Sequence, residues 1–285
     1  MKFSIITPSL NQLPYLKRCI ASVADQQEAD VEHVVIDGGS TDGTVEWLKE
    51  FSGRKIAGNY HLSFVSERDA GMYDALNKGF ARSSGDIFAW LNCDEQYLTG
   101  TLSFVRSWFA DHPEEAMLSG SALLIRPDGA LLAFRKAQPL GLCYVETSHL
   151  YNLSCGMFFR RHIWEQGIRF DATYRNLGDQ DWVMRLLKNG VRTGCTDRFL
   201  AAFCFTGQNM SQREEARIEK QKLHDQCPVW ARQLRYPLNL MRWSEKALRG
   251  GYCQRPFNYA VYPDDSTGER KTNNIKKASS QWPEK

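Results

Sequence analysis

The sequence predicts an α/β protein with a mostly parallel central sheet flanked by helices, and three features support this prediction. Short apolar runs alternate with helical patterns through the first 110 residues. Such alternation is typical of parallel strands joined by right-handed helical crossovers. Polar and glycine-rich segments follow the apolar runs, as loops at a sheet edge do. With 285 residues, of which 42% are apolar, the chain is long enough for one large domain and an appendage.

The first half of the chain is predicted to form four strands, each followed by a helix. The strands are short apolar runs at residues 3–6, 31–36, 62–65 and 87–91. The helices are segments with apolar residues three or four positions apart, at about 14–26, 45–51, 72–80 and 101–111. The unbroken run at 87–91 indicates a strand buried on both faces. A polar loop is expected at 7–12, after the first strand.

Beyond residue 113 the predicted elements become shorter and more varied. They are a β-hairpin with strands at 123–125 and 131–134, a strand at 152–159, a short helix after Arg161, a helix at 178–190, strands at 191–195 and 199–205, and a charged surface helix at 212–226. The helix at 178–190 closes on Asn189 and Gly190, which is a good C-terminal signal.

The C-terminal segment at 230–249 interleaves large apolar residues with arginine and lysine. A basic amphipathic segment can lie on an anionic membrane surface. The alternative is that the segment packs onto the domain, and Pro237 favours this because proline interrupts a single long helix. Residues 264–285 are polar and include Gly, Ser, Asn and Lys, which predicts a disordered tail.

The composition argues against several classes of protein. A formal net charge of +3 is too small for a dedicated nucleic-acid binder, so no nucleic-acid partner is expected. The eight cysteines include no Cys-x-x-Cys pair, which indicates free thiols in a reducing compartment. The N-terminal apolar run is too short for a signal peptide, and no apolar stretch reaches the ~18 residues of a membrane span. We therefore expect a cytoplasmic protein.

Acidic residues follow three of the predicted parallel strands. Asp37 follows the second strand, Asp69 the third and Asp94 the fourth. Parallel strands place their carboxyl ends at one edge of the sheet, which is where open α/β sheets bind ligands. Each carboxylate alone could instead cap the helix that follows it. The gathering of all three at one edge favours a binding site.

The fourth strand leads directly into Asn92, Asp94 and Glu95. Such oxygen ligands suit Mg²⁺ or Mn²⁺, which commonly bridge protein carboxylates to substrate phosphates. The alternative is that the acids cap the helix near Thr101. The glycine-rich loop at 37–44 allows a ligand to approach the backbone closely, but it matches neither the dinucleotide fingerprint nor the P-loop.

Five short motifs occur in an order that resembles a known family. They are Thr7-Pro8 and the segments 35–44, 66–79, 85–87 and 91–95. As a set they are similar to the family 2 glycosyltransferases with the GT-A fold. The resemblance covers residues 1–110 and extends to about residue 205 through 158–161 and 179–186.

The resemblance implies which residues bind a nucleotide-sugar donor. The Thr7-Pro8 loop and Asp37 would bind the base and ribose, and Asp69 would contact the nucleoside. Lys78, in the motif at 66–79, would also belong to the donor site. The donor is expected to be of the UDP or GDP type.

The resemblance also implies a metal site and a catalytic base. Asp94 matches the last Asp of the family's Asp-x-Asp motif, which holds Mn²⁺ or Mg²⁺ on the donor diphosphate. Asn92 stands where many members have the first Asp, and Glu95 follows where a second Asp is common. Asp179 matches the acid that serves as base in inverting members. The residue before it departs from the family pattern, which leaves Asp181 as the alternative base. Capping by either acid is favoured by the helix dipole and is the structural alternative.

A metal-dependent inverting hexosyl- or N-acetylhexosaminyl-transferase is therefore implied. Its acceptor would be a saccharide or lipid-linked saccharide of cell-surface polysaccharide or glycolipid biosynthesis, with peripheral contact at the inner membrane surface. Residues 1–110 would form the nucleotide-sugar-binding half and 111–210 the acceptor-binding half of one GT-A domain. Residues 211–263 would form a C-terminal helical extension.

Two other classes of function remain open at this point. The departures at Asn92 and Glu95 allow a non-catalytic nucleotide-sugar-binding scaffold that partners an active transferase. A nucleotidyltransferase on a related α/β core is less favoured, because residues 7–12 contain neither glycine nor a basic residue.

Overall fold

The computed structural model describes residues 1–26, 30–54, 58–206, 214–263 and 268–283. These residues form eleven strands and ten α-helices. The strands are β1 (Lys2–Ser9), β2 (Asp30–Asp37), β3 (Asn59–Ser66), β4 (Ile87–Trp90), β5 (Glu95–Tyr97), β6 (Met117–Ile125), β7 (Leu131–Arg135), β8 (Met157–Arg160), β9 (Thr193–Cys204), β10 (Phe257–Val261) and β11 (Lys271–Ile275). The helices are α1 (Leu13–Ala24), α2 (Thr44–Ser52), α3 (Met72–Ala81), α4 (Thr101–Asp111), α5 (Leu142–Thr147), α6 (Arg161–Glu165), α7 (Gly178–Lys188), α8 (Glu214–Asp225), α9 (Val229–Gln233) and α10 (Arg235–Leu248).

The four strands predicted in the first half of the chain form the parallel part of the central sheet. Their order is β3-β2-β1-β4, and each neighbouring pair is parallel. All four residues of β4 are buried, and so are seven of the eight residues of β1. Burial on both faces explains why these strands are apolar without alternation. The predicted α/β class is confirmed.

The remaining part of the sheet mixes strand directions. From β4 the order continues β8-β6-β9-β5, and β7 pairs with β6 in the predicted hairpin. β6 and β9 are parallel, whereas β8 is antiparallel to both β4 and β6. The two strands predicted at 191–195 and 199–205 are the single strand β9, whose register with β6 shifts next to Ser121. A bulge of this kind lets polar residues interrupt the apolar pattern without ending the strand.

The hydrophobic core lies on both faces of the sheet. On one face α1 buries Leu16, Cys19 and Ile20 against β1 and β4. On the other face α3 and α7 pack against the sheet. Trp182 of α7 contacts Trp90 of β4, with ring centroids 5.7 Å apart. This second layer brings the first turns of α3 and α7 together, since the Tyr73 hydroxyl, from α3, donates to the Asn176 carbonyl at 3.1 Å.

Thr7 and Pro8 lie in β1 and not in the predicted loop. The pairing of β1 with β4 ends at Ile6, and β1 continues beside β2 as far as Ser9. The Ile6 carbonyl faces β4, where it accepts from the Leu91 N–H at 3.0 Å. Because backbone groups two residues apart point to the same side of a strand, Pro8 faces the same side as Ile6. β4 no longer pairs with β1 at this position. The missing N–H of proline therefore leaves no gap in the ladder.

Several short elements differ from the sequence prediction. The strand predicted at 152–159 is a 3₁₀ turn at Ser154–Gly156 followed by β8. β5 and α5 were not predicted, and they have only three and six residues. Periodicity needs a longer window to distinguish such elements from loops.

The tail at 264–285 is not disordered in the part that the structure describes, residues 268–283. β11 pairs antiparallel with β10 in a separate two-stranded sheet. Arg270 anchors this hairpin to Asp25, after α1, through two N–O contacts of 2.5 and 2.7 Å. The prediction of disorder was wrong there because local composition does not reveal contacts with a distant part of the chain.

The segment at 230–249 forms two helices, α9 and α10, which meet at Leu234. Pro237 lies in the first turn of α10, where a proline removes no intrahelical hydrogen bond. One side of α10 packs on α5, and the Tyr144 hydroxyl donates to Glu245 Oε1 at 2.8 Å. Among the described residues, no helix combines the length and apolarity needed to cross a bilayer.

Candidate functional site

The carboxyl ends of β2, β3 and β4 meet at one edge of the parallel sheet. Asp37 is the last residue of β2, while Asp69 and Asp94 follow β3 and β4 in the next loops. A Cβ atom on Gly38 would lie 2.9 Å from Asp69 Oδ2, so the loops after β2 and β3 are in contact. The predicted gathering of these acids at one sheet edge is confirmed.

Asp37 organises the glycine-rich loop and does not point outward, since its side chain is fully buried. Its Oδ2 accepts from the N–H groups of Gly39 and Ser40 at 3.1 and 3.0 Å and from the Ser66 hydroxyl at 2.6 Å. The Ser40 hydroxyl donates to the other carboxylate oxygen. The carboxylate therefore fixes the shape of the loop. A nucleoside at this edge would meet the loop backbone and the half-buried Asp69.

A cleft of about 660 Å³ takes its walls from both halves of the chain. Asn92 and Asp94 line it from the turn after β4, and Asp179 lines it from the first turn of α7. Met72 and Tyr73, at the start of α3, also line it. The structure thus brings the predicted metal-site residues and the predicted base into one cavity.

The turn after β4 contains oxygen atoms without partners. The backbone N–H of Asn92 donates to Glu95 Oε2 at 2.8 Å. In the part of the chain that the structure describes, Asn92 Oδ1 and Glu95 Oε1 are buried and accept no hydrogen bond. Because buried oxygens are normally satisfied, two free acceptors beside Asp94 indicate a place for a cation or its water ligands.

Burial raises the pKa of both carboxyl groups in this turn. Desolvation raises the pKa of Asp94 to about 6, against the opposing charge of Arg18. Desolvation, followed by the charge of Asp94, raises the pKa of Glu95 to about 8. Placing both negative charges here therefore costs free energy, and an added positive charge would lower that cost.

These residues fit a hard divalent cation. Asp94 supplies a carboxylate and Asn92 an amide oxygen, which are ligand types that Mg²⁺ and Mn²⁺ accept. Over the described ranges, no group of three or more His, Cys, Asp and Glu side chains is arranged to hold a metal by itself. The remaining ligands would accordingly be substrate phosphates and water.

Asp179 lies half-buried beside the start of α3. Its Oδ1 accepts from the Gln180 N–H at 2.9 Å and lies 3.4 Å from the Tyr73 hydroxyl. Desolvation raises the pKa of Asp179 to about 6, against these hydrogen bonds. A Cβ atom on Gly178 would lie 2.7 Å from the Tyr73 ring, so glycine at 178 lets α7 begin this close to α3. A carboxyl group with a pKa near neutrality suits general-base chemistry.

The alternative base, Asp181, is engaged elsewhere. Its Oδ2 accepts from Nε of Arg185 at 2.8 Å, and Arg185 Nη2 lies at the same distance. Asp181 is buried and does not line the cleft. The geometry favours Asp179 over Asp181.

Of the residues predicted to bind the donor, Asn92 lines this cleft, whereas Thr7, Pro8, Asp37, Asp69 and Lys78 do not. The Thr7 hydroxyl is buried and lies 2.9 Å from His33 Nε2, and the proline after it is part of the same strand. Lys78 forms ion pairs with Glu67 at 3.2 Å and Asp74 at 3.1 Å. Any direct contact between Thr7 and a donor would have to use its backbone.

Sequence reasoning missed the basic and aromatic lining of the cleft. These residues come from β7, the loop after α5 and the C-terminal segments: Arg135, His149, Tyr151, Arg242, Trp243, Lys246, Tyr252 and Trp282. The mixed basic and aromatic composition at 230–249 was the available signal. It did not indicate that the cations of α10 face the domain.

Comparison with known proteins agrees with this geometry. The family model described as glycosyl transferase family 2 matches residues 4–187. A "PGL/p-HBAD biosynthesis glycosyltransferase" of Mycobacterium bovis is 29% identical over 192 residues, covering 66% of this chain and 70% of that protein. An uncharacterized glycosyltransferase of Mycobacterium tuberculosis is 41% identical over 95 residues, covering 33% of this chain and 34% of that protein.

Solved structures share the fold at low sequence identity. The match to S. aureus TarS 1–349 in complex with UDP-GlcNAc has a TM-score of 0.57 at 16% identity and covers 98% of this chain and 100% of that chain. The match to mannosyltransferase PcManGT from Pyrobaculum calidifontis, in complex with GDP-Man and Mn²⁺, has a TM-score of 0.54 at 18% identity and covers 87% and 80% of the two chains. The expected GT-A fold is confirmed by these matches.

The family match includes the parallel part of the sheet, the turn after β4 and nearly all of α7. The matched region therefore contains both Asp94 and Asp179, whose carboxylates line the cleft. Because the match also covers well over half of the sequence, this glycosyltransferase belongs to glycosyl transferase family 2.

Proposed function

We propose that the protein is a metal-dependent inverting glycosyltransferase, which moves a hexosyl or N-acetylhexosaminyl group from a UDP- or GDP-sugar to an acceptor hydroxyl. One observation carries this proposal: Asn92 and Asp94 line the same cleft as Asp179, which comes from the other half of the chain. The complexes of the two structural neighbours, with UDP-GlcNAc and with GDP-Man and Mn²⁺, support the donor class and the metal.

In the proposed reaction Asp94 and Asn92 would hold Mn²⁺ or Mg²⁺. When bound, the ion supplies Lewis-acid stabilisation of the negative charge on the departing nucleoside diphosphate. Asp179 accepts the proton of the acceptor hydroxyl as that oxygen attacks the sugar. Attack from the face opposite the nucleotide inverts the anomeric centre.

The nucleoside is proposed to bind at the sheet edge beside the cleft. Asp37 shapes the loop whose backbone meets the base and ribose, and Asp69 contacts the nucleoside. Thr7 and Pro8 contribute the backbone at the end of β1. Lys78 acts through its ion pair with Glu67, which steadies the loop that carries Asp69.

The test measures nucleotide release from UDP- and GDP-sugars with Mn²⁺, together with donor binding by calorimetry. We expect Asp94→Ala to lose both turnover and metal-dependent donor binding. Asp179→Asn should lower turnover by about 10²–10⁴-fold, the usual contribution of a general base, and leave donor binding nearly unchanged. Asp181→Asn is the matched control, because it makes the same change two residues further along the helix and outside the cleft. It should keep most of its turnover.

The same assay separates the alternatives. Wild-type rates in Asp179→Asn would contradict the assignment of the base. Donor binding without cleavage by the wild-type protein would support the non-catalytic scaffold. With a nucleoside triphosphate and a sugar 1-phosphate as substrates instead, release of pyrophosphate would indicate a nucleotidyltransferase.

Peripheral contact with an anionic membrane surface is also proposed, through α9 and α10. On α10 the buried residues are Arg242 and Lys246, whereas most of the large apolar residues are exposed, including Trp243, which also borders the cleft. The large exposed apolar residues on the two helices are Val229, Trp230, Leu234, Tyr236, Leu240, Met241, Trp243 and Leu248. Arg235 is exposed at the start of α10 and suits anionic headgroups. A lipid-linked saccharide acceptor in cell-surface polysaccharide or glycolipid biosynthesis agrees with this surface.

Sedimentation with phosphatidylglycerol vesicles at low salt tests the membrane contact. The wild-type protein should sediment with the vesicles, and a variant carrying Tyr236→Ser, Leu240→Ser and Leu248→Ser should stay in the supernatant. Ile218→Ser removes an equally exposed apolar residue from α8 and should have no effect. A wild-type protein that does not bind these vesicles would contradict the proposal.

A further inference from the structure

Three cationic side chains converge on one wall of the cleft. Arg135 comes from β7, and Arg242 and Lys246 come from successive turns of α10. Burial, followed by the charges of Arg135 and Arg242, lowers the pKa of Lys246 to about 8. The three charges are therefore close enough to repel one another.

None of the three cations pairs with a carboxylate within the described ranges. Arg242 and Lys246 are only 6% and 7% exposed. Nε of Arg242 is buried without a hydrogen-bond partner, and Nη2 reaches only Asn239 Oδ1 at 3.5 Å. Arg135 donates to the Ser280 carbonyl at 3.0 Å. Burying unpaired cations is costly, so their retention points to an anion that binds between them.

The immediate neighbours of these cations are aromatic rings. The pairs are Arg135 with Trp282, Arg242 with Tyr151 and Lys246 with Tyr252, at 5.0, 5.1 and 4.6 Å from the ring centroids. A ring beneath the cation holds the side chain in place without neutralising it. Glu245, the nearest acid along α10, accepts its hydrogen bond from Tyr144 on α5.

The positive charges on this wall also lower the pKa of His149. Desolvation within the cleft, and then the charges of Arg242, Lys220 and Arg135, lower the pKa of His149, although its side chain remains in contact with solvent. The imidazole is therefore neutral at physiological pH. It can complete a hydrogen-bonded site for an anion without adding a further charge.

We propose that Arg135, Arg242 and Lys246 bind a phosphate group of the acceptor, so that the acceptor is a phosphorylated saccharide, free or lipid-linked. The proposal rests on the transferase function proposed above. A phosphate ester carries more charge than a carboxylate and can accept from two guanidinium groups and an ammonium group together.

The origin of the cations assigns the phosphate to the acceptor and not to the donor. The donor diphosphate has its own proposed site at Asn92 and Asp94, after β4. The cations come from β7 and α10, in the half and the extension that lie beyond the donor-binding strands. Apart from Trp243, which borders the cleft, the exposed apolar residues of α10 are proposed to meet a membrane, where the phosphate of a lipid-linked saccharide would lie.

The test measures binding of glycerol 3-phosphate to the full chain by calorimetry at low ionic strength. Lys246→Gln and Arg242→Gln should each weaken binding about tenfold, as expected for the loss of one charge-assisted hydrogen bond. Arg249→Gln removes an exposed cation at the end of the same helix, outside the cleft, and should leave binding unchanged. Equal weakening by Arg249→Gln, or no binding by the wild-type protein, would overturn the proposal.

A competition arm distinguishes the donor from the acceptor. UDP or GDP with Mn²⁺ should leave the binding of glycerol 3-phosphate intact, and displacement by either nucleotide would show that the cations serve the donor diphosphate. Because binding of glycerol 3-phosphate is measured without a donor sugar, the result is independent of whether the protein has transferase activity. Vesicles with phosphatidic acid in place of phosphatidylglycerol test whether the phosphate is carried by a lipid. If Lys246→Gln weakens binding to these vesicles, the acceptor is the lipid-linked form. If Lys246→Gln weakens binding of glycerol 3-phosphate but not of the vesicles, the acceptor is the free form.

A stability measurement separates ligand binding from a structural role. Lys246→Gln should raise the melting temperature of the ligand-free protein, because it removes a buried charge that lacks a counter-ion. A cation needed only for folding would give the reverse, and a lowered melting temperature together with unchanged binding of glycerol 3-phosphate would reject the assignment.

Discussion

At Asp179 the burial that raises the carboxyl pKa to about 6 also makes the charged residue costly to the fold. The pKa in the unfolded chain is near the model-peptide value of about 4. The folded state therefore holds the proton more tightly. The stability that this contributes is fully present below the unfolded pKa and is lost as the pH rises to 6. Above pH 6 the ionised carboxylate remains as an unfavourable but reactive group.

We expect Asp179→Asn to stabilise the protein by about 1–2 kcal/mol at pH 8, with little difference from the wild type at pH 4. Urea unfolding at the two pH values measures this change. Asp181→Asn should act in the opposite direction at pH 8, because it breaks the ion pair with Arg185. A destabilised Asp179→Asn protein would contradict the interpretation that this carboxylate is kept for chemistry. In the wild type, turnover should rise with pH through about 6, as Asp179 loses its proton.

Among the secondary-structure elements, the β10–β11 hairpin shows how side chains can attach an element that shares no strand pairing with the central sheet. Beyond its ion pair with Asp25, Arg270 donates to the carbonyl groups of Tyr97 at 2.8 Å and Ser22 at 3.2 Å. The Tyr262 hydroxyl donates to the same Asp25 carboxylate at 2.8 Å. One arginine thus joins the hairpin to α1 and β5.

Arg270→Met should lower the free energy of unfolding by about 1–3 kcal/mol, because it removes the counter-ion of Asp25 and a donor to three carbonyl groups. Amide hydrogen exchange should show loss of protection in β10 and β11 before the parallel sheet is affected. Arg54→Met is the control, since it removes an exposed pair with Glu50 on the surface and should change stability by less than about 0.5 kcal/mol. Unchanged protection in the hairpin would show that Arg270 does not anchor it.

At the scale of the whole molecule, the halves proposed for donor and acceptor share one continuous sheet. β4 from the first half pairs with β8 from the second. The cleft also takes residues from both halves and from the C-terminal segments. Loss of either half would expose a strand edge and the core beneath it.

Calorimetric unfolding should therefore give one cooperative transition, with equal calorimetric and van't Hoff enthalpies. A fragment of residues 1–110 should fail to fold by itself, because β4 loses its partner β8. Two separate transitions, or a folded fragment that binds nucleotide, would contradict a single domain.

The sequence predicted correctly those features that depend on residues close together in the chain, and it missed those that depend on distant contacts. The four parallel strands and the helices between them were predicted because their apolar spacing is continuous over many residues. The acids Asp37, Asp69 and Asp94 were placed at one edge by the topology of a parallel sheet. Burial of the Thr7 side chain against His33, and the ion pairs of Lys78, depend on neighbours that the local pattern does not reveal.

The sequence by itself determined the α/β class, the parallel strand–helix units and the order of motifs that identifies the family, because these follow from periodicity and short-range spacing. Only the tertiary structure decided that Asp179 and not Asp181 faces the cleft, that the tail is anchored by Arg270, and that α10 turns its cations inward. Each of these depends on a contact between residues far apart in the chain, and such contacts exist only after the apolar faces have packed together.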